Sequence, residues 1–219
     1  MEQFIQQYGL DDVLPLAARN DLRLVRYVPG STICSQGDPA QSLYFLVSGK
    51  LRVSHTSVAG KRLVLSFKQP LDLIGDIEYV RRTPYLNTVE AVTAVEMLVI
   101  SFDALAHHAT DDVTWLNYLL AEITRKFEMK SQSMSFNLFY PVEVRLASYL
   151  LSMTPETTTL GSTVDELTDI ADLIGTSYRH VNRTLKRFVE QGLIERDRRS
   201  ITVINRNRLI EVAGESIYE

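Results

Sequence analysis

The side chains best equipped for chemistry gather in TSYRHVNRTLK, where Tyr178, Arg179, His180, Asn182, Arg183 and Lys186 follow one another within three helical turns. A guanidinium can donate two parallel hydrogen bonds to O6 and N7 of guanine, and an asparagine amide can pair with adenine. Such a set on the first turns of one helix suits the reading of base edges in a major groove. Arg196, Arg198 and Arg199 follow shortly after, and cations there suit phosphates, which add affinity without sequence information. No comparable constellation exists elsewhere. The chain has no phosphate-cradling P-loop, no Gly-x-Ser-x-Gly elbow, no metal-spaced His or Cys set and no acid/base pair, so no catalytic residue, cofactor or metal is expected. Cys34 is the single cysteine. It reads as a small core residue, with redox sensing or haem ligation as the sharper alternative. The neighbouring His107 and His108 point in different directions on a helix and read as surface.

Those polar residues need a scaffold, and the surrounding pattern supplies one. Ile170, Ala171, Leu173 and Ile174 form an apolar helical face, Gly175 suits a left-handed turn, and Ser177 suits the N-cap of the next helix. Val181, Leu185, Phe188 and Val189 should be the buried side of that helix, which Gly192 ends. LIERD and SITVIN then read as two strands of a hairpin with Arg198 and Arg199 at its tip. Helix, turn, helix and hairpin make a winged helix-turn-helix, preceded by a scaffold helix, VEVRLASYLLSM, and a polar loop, TPETTTLGST.

Upstream, LRLVRYV, SLYFLV, LRVSH, RLVLSF and VEMLVI are short apolar runs separated by Gly30, Gly37, Gly49, Gly60 and Gly75. No helix-length pattern intervenes, so an antiparallel β-roll is expected. Ser101 can cap a helix, and Asp111 or Asp112 can start a much longer one. Along it Leu116, Leu120, Ile123, Phe127 and Met134 recur at heptad-like steps, with Lys130 in the same stripe and Met129 as further packing. A stripe on a helix leaving a small domain is expected to meet its twin in a homodimer, packing on its own domain being the plainer alternative. Pro141 disfavours helix before it and sets a hinge at Tyr140–Pro141. The expected fold is α+β: a β-roll sensor in residues 1–110, a long dimerisation helix in 111–139 and a winged helix-turn-helix in 140–219.

Composition agrees with a folded chain, 45% hydrophobic and 23% charged over 219 residues. No apolar stretch is long enough to span a membrane, and a lone cysteine fits a reducing cytoplasm. The net charge of −4 conceals an asymmetry. Residues 176–208 hold nine Lys or Arg against three acids, a balance of +6, whereas the remainder holds 14 against 24, a balance of −10. The C-terminal part is therefore fitted to a polyanion.

With SLYFLVSGKLRVSHTSVAGKRLVLSFKQPLDLIGDIE, the long helix, and LIGTSYRHVNRTLKRFVEQGLI with its hairpin in order, nearly the whole chain resembles a Crp/Fnr-type transcription regulator, and most closely its YeiL-like branch, where a Tyr-Arg-His run recurs. The resemblance implies a cyclic-nucleotide-binding-like sensor of the double-stranded β-helix type, a homodimer, and a pseudo-palindromic site on double-stranded promoter DNA. It admits RNA polymerase and an unidentified small-molecule effector as further partners. Two departures stand out. Tyr178, Arg179 and Arg183 occupy the places of the family's Arg-Glu-x-x-x-Arg, so only Arg183 is kept and the operator should differ. In the phosphate-binding cassette Gly75 and Asp76 are present, but Tyr85, Leu86 and Asn87 replace Arg, Ser and Ala. The charge-neutralising cation is missing unless Arg81 or Arg82 replaces it, so cyclic AMP is not the expected effector. The pocket, Gly75, Asp76, Tyr85 and Asn87 included, is open to three readings: empty, filled by side chains, or adapted to another molecule. The rival reading is a small-molecule-binding or protein-interaction module without specific DNA binding.

Overall fold

Alternation in the strands decides the architecture of the first half. The computed structural model describes residues 1–153, 160–161, 164–197 and 200–214, and Arg198 and Arg199 lie outside them. In chain order the first unit, Met1–Glu128, contains α1 (Glu2–Gln7), α2 (Leu16–Asn20), β1 (Arg23–Tyr27), β2 (Thr32–Cys34), β3 (Ser42–Ser48), β4 (Leu51–Thr56), β5 (Arg62–Lys68) and β6 (Leu73–Ile74). There follow α3 (Asp76–Arg81), β7 (Thr88–Ala91), β8 (Val95–Ser101), α4 (Phe102–His108) and the start of α5 (Val113–Phe139). Two four-stranded antiparallel sheets, β1-β8-β3-β6 and β2-β7-β4-β5, make the roll.

Residues of opposite parity on β3 serve two cores, because side chains alternate across a strand. Leu43, Phe45 and Val47 pack with Leu10, Leu14, Leu105 and Trp115 of the helical layer. Leu46 and Tyr44 pack instead with Leu51, Val53, Val89 and Met97 between the sheets. A strand covered on both faces reads as a continuous apolar run, which is why SLYFLV does. Each such side chain, fully withdrawn from water, contributes roughly 1.5–3 kcal/mol. Gly49 is required by space as well as by its φ of +90°, since a Cβ there would lie 2.3 Å from the Ala94 carbonyl oxygen.

Two helical features depart from the sequence expectation. The roll is interrupted by α3, whose six residues are too few to give a helical period. The N-terminal residues also form helices, and Tyr8 fixes them by donating from its hydroxyl to the Val47 carbonyl at 2.9 Å. The expected caps are present. Ser101 accepts from the Ala104 amide at 3.1 Å, and Asp112 accepts from the Trp115 amide at 2.8 Å at the start of α5.

The second unit, Met129–Glu219, holds the rest of α5, then α6 (Val142–Met153), β9 (Leu160–Gly161), α7 (Val164–Leu173), α8 (Tyr178–Glu190), β10 (Ile194–Arg196), β11 (Ser200–Val203) and α9 (Arg206–Ala213). Helix α5 ends at Phe139 and α6 begins at Val142, with Pro141 between them. Its core joins Leu146, Leu150, Ile170, Ile174, Val181, Leu185, Phe188, Ile201 and Leu209. The small sheet has the order β10-β11-β9. The N-terminal β-roll, long helix and C-terminal helix-turn-helix of the expected α+β fold are all present.

Candidate nucleic-acid interface and sensor domain

The turn between α7 and α8 is held by a buried cation. Arg145 on α6 donates to the carbonyls of Ile174 and Gly175, the latter at 3.2 Å, just past the end of α7. Gly175 takes φ +65°, and a Cβ there would press within 3.3 Å of Arg145 Nη1. Ser177 then caps α8, its hydroxyl accepting from the His180 amide at 3.3 Å. Val181, Thr184, Leu185 and Phe188 are buried, so the opposite face is fixed outward. Val189 departs from expectation: it is 42% exposed, because 13 residues of helix turn it past the edge of the core.

On that outward face Arg179, Arg183 and Lys186 are exposed. Among the described residues none of the three has an ion-pair partner. Tyr178, His180 and Asn182 are half-buried; Tyr178 packs against the core, and His180 Nδ1 lies 3.4 Å from the Thr176 hydroxyl. Arg187 is set apart from them by an ion pair with Glu143. The hairpin is present beside the helix, β10 pairing antiparallel with β11. Its neck is closed by Asp197, whose carboxylate accepts from the Ser200 amide at 2.7 Å and the Ser200 hydroxyl at 2.8 Å. One contact that the sequence did not suggest joins hairpin to helix: Arg196 Nη1 donates to Asn182 Oδ1 at 2.5 Å.

Of the four proposed effector residues, Gly75 and Tyr85 both approach the Ser42 carbonyl oxygen, whereas Asp76 and Asn87 meet other partners. Gly75 (φ +91°) packs where a Cβ would lie 2.6 Å from the Ser42 carbonyl oxygen. The Asp76 carboxylate is buried and pairs with Lys126 of α5 at 2.7 Å, and the same ammonium donates to the Leu73 carbonyl at 2.7 Å. Tyr85 is buried between the sheets, its hydroxyl donating to the Ser42 carbonyl at 3.2 Å, while Asn87 lies near the exposed His55 at 3.3 Å. Arg81 is exposed, and the Arg82 guanidinium lies over the Tyr79 ring at 4.9 Å. Tyr27, Tyr44 and Tyr85 instead crowd the space between the sheets with Cys34 and Ile74. Burial there raises the pKa of all three phenols. The Glu78 carboxylate, also buried, accepts from the Leu86 amide at 2.9 Å.

Two known domain families match this architecture in order. Residues 24–110 match the cyclic nucleotide-binding domain family, and residues 144–212 match the Crp-like helix-turn-helix domain family. The chain belongs to the Crp/Fnr family of transcriptional regulators.

Among Crp/Fnr relatives, a CRP-like cAMP-activated global transcriptional regulator of Mycobacterium tuberculosis is 26% identical over 208 residues, 92% of each chain. The regulatory protein YeiL of Escherichia coli O157:H7 is 25% identical over 196 residues, 89% of this chain and 87% of YeiL. A Crp/Fnr-family crystal structure from Eubacterium rectale superposes with a TM-score of 0.82 at 21% identity, over 95% of this chain and 99% of the other.

Within this Crp/Fnr chain the long-helix stripe divides. Trp115 and Leu119 are buried in their own domain and Ile123 is partly buried against the same core. Leu116, Leu120, Phe127 and Met134 are exposed, Leu120 at 61% and Phe127 at 75%. No helix among the described residues is long and apolar enough to cross a membrane.

Cys34 is buried, and desolvation with the nearby Glu78 carboxylate pushes its thiol up to about 12. Since the thiolate is the reactive form, its population at pH 8 falls about a thousandfold below that of an ordinary thiol. Iodoacetamide labelling of the native chain at pH 8 is expected to be slower by at least that factor than labelling in guanidinium. Equal rates would expose the thiol to solvent chemistry after all.

Proposed function

We propose that this chain is a homodimeric, sequence-specific regulator that binds a pseudo-palindromic promoter site and acts with RNA polymerase in the cytoplasm. One observation carries the reading: Arg179, Arg183 and Lys186 stand exposed on the outward face of a helix whose other side is locked into its core. In helix-turn-helix dimers the first turns of such a helix enter the major groove, and half-sites lie about 34–36 Å apart, one DNA turn. The hairpin β10–β11 supplies the wing. Arg198 and Arg199, which lie outside the described residues, are proposed as phosphate contacts. Residues 1–110, 111–139 and 140–219 serve as sensor, dimer helix and reading domain.

We place the effector outside the cyclic-AMP class. Tyr85 stands where the family carries its phosphate-binding arginine, and its phenol is buried among apolar neighbours and other tyrosines. Without a cation, a cyclic phosphate would be desolvated with its charge uncompensated. Tyr178, Arg179 and His180 favour the YeiL-like branch, although YeiL and the cAMP-activated mycobacterial regulator match almost equally well.

A single titration tests the DNA reading. Affinity for selected operator and for random duplex, each measured at two salt concentrations, should fall steeply with salt as phosphate neutralisation releases counterions. Arg183→Ala should cost about 1–3 kcal/mol on the operator and relax the preference at one base pair. A flat salt dependence together with an unchanged variant would favour the protein-interaction module instead.

A further inference from the structure

Asn182 stands among the base-reading candidates, but its amide is already oriented before DNA arrives. Arg196 of the wing strand β10 meets it at 2.5 Å. A guanidinium has only donors, so the amide atom that it touches must be the oxygen. The carbonyl end therefore faces the wing, and the remaining polar atom, Nδ2, with its two N–H donors, is what the side chain has left to offer. Asn182 is half-buried, which keeps it from being an inert solvated residue, and one helical turn separates it from both Tyr178 and Lys186.

This orientation limits what residue 182 can recognise. The bidentate contact by which asparagine selects adenine needs both amide atoms turned to the base, the oxygen accepting from N6 and the nitrogen donating to N7. With the carbonyl drawn toward the wing and one of its two lone pairs taken by Arg196, the Nδ2 donors are the atoms left to face the base. Donors fit O6 and N7 of guanine or O4 of thymine, and they meet the N4 amino group of cytosine donor to donor.

We propose that Arg196 is a positioning residue that sets operator specificity, holding Asn182 so that it reads a base acceptor and rejects cytosine at one base pair of each half-site. The proposal rests on the DNA-reading function above. It also makes the wing part of the sequence code rather than only a phosphate clamp, since the contact passes through helix and hairpin of one compact unit.

The test is in vitro selection of operators by the full-length chain, by Arg196→Met and by Asn182→Asp. The native chain should select guanine or thymine at one position in each half-site. Arg196→Met keeps the apolar stem but releases the amide, so adenine should rise about tenfold at that position while the others hold. Asn182→Asp keeps the partner of Arg196 and removes the donor, and should move the preference to cytosine, whose N4 amino group donates to a carboxylate. If Arg196→Met lowers affinity uniformly with base frequencies unchanged, and Asn182→Asp leaves that position unaltered, the positioning role is overturned while DNA reading stands. If the native chain enriches no sequence at all, the regulator reading itself fails, and this proposal falls with it.

Discussion

Lys126→Met is expected to destabilise the first unit by roughly 3–5 kcal/mol, because it leaves the Asp76 carboxylate buried without its counter-charge. The native pair is 2.7 Å apart, with Asp76 side-chain exposure of 6% and Lys126 of 16%. Its ammonium also serves the Leu73 carbonyl, so the substitution removes two partners at once. Methionine keeps the stem, which separates the loss of charge from a loss of packing. The chain has one tryptophan, and Trp115 is buried in that unit, so its fluorescence during urea unfolding reports the right transition. A second replacement, Asp76→Asn in the same chain, should recover most of the loss, since a neutral amide is far cheaper to bury than a lone carboxylate. An unchanged midpoint for Lys126→Met would show the pair to be solvated in solution.

The second large effect concerns the exposed half of the long helix. Leu120→Glu combined with Phe127→Glu places two like charges on the stripe that is proposed to meet its twin, without touching Trp115 or Leu119 beneath it. Light scattering should then find the monomer mass. Two linked reading domains gain an avidity of about 10²–10⁴ over one, so affinity for a two-half-site operator should fall by that order, while a single half-site is bound as before. A variant that stays dimeric would assign the apolar stripe to some other contact.

Much of this molecule could be read from local pattern. Ser101, Asp112 and Ser177 stand where caps were expected because a cap is a short-range affair, one oxygen reaching an amide three residues on. The strands of the roll were legible as apolar runs, except β2, β6 and β7, which are only two to four residues long. What escaped the sequence lies across the fold. Lys126 and Asp76 are 50 positions apart, and Arg196 and Asn182 are 14 apart on different elements, so neither pair leaves a periodic trace. The same holds for Asp76, Tyr85 and Asn87, which share a sequence motif but point at three different partners. Ile123 shows the converse. Heptad spacing put it on the stripe with Leu120 and Phe127, and only the packing of the β-roll drew it partly inward.

The buried Arg145 beneath the turn has one more implication. A histidine there would lose its charge within the physiological acidity range, but a guanidinium stays protonated wherever a backbone survives. The carbonyls of Ile174 and Gly175 therefore keep their donor in acid-stressed and alkaline cells alike. The pin beneath the two helices is thus one whose own charge does not come and go with acidity.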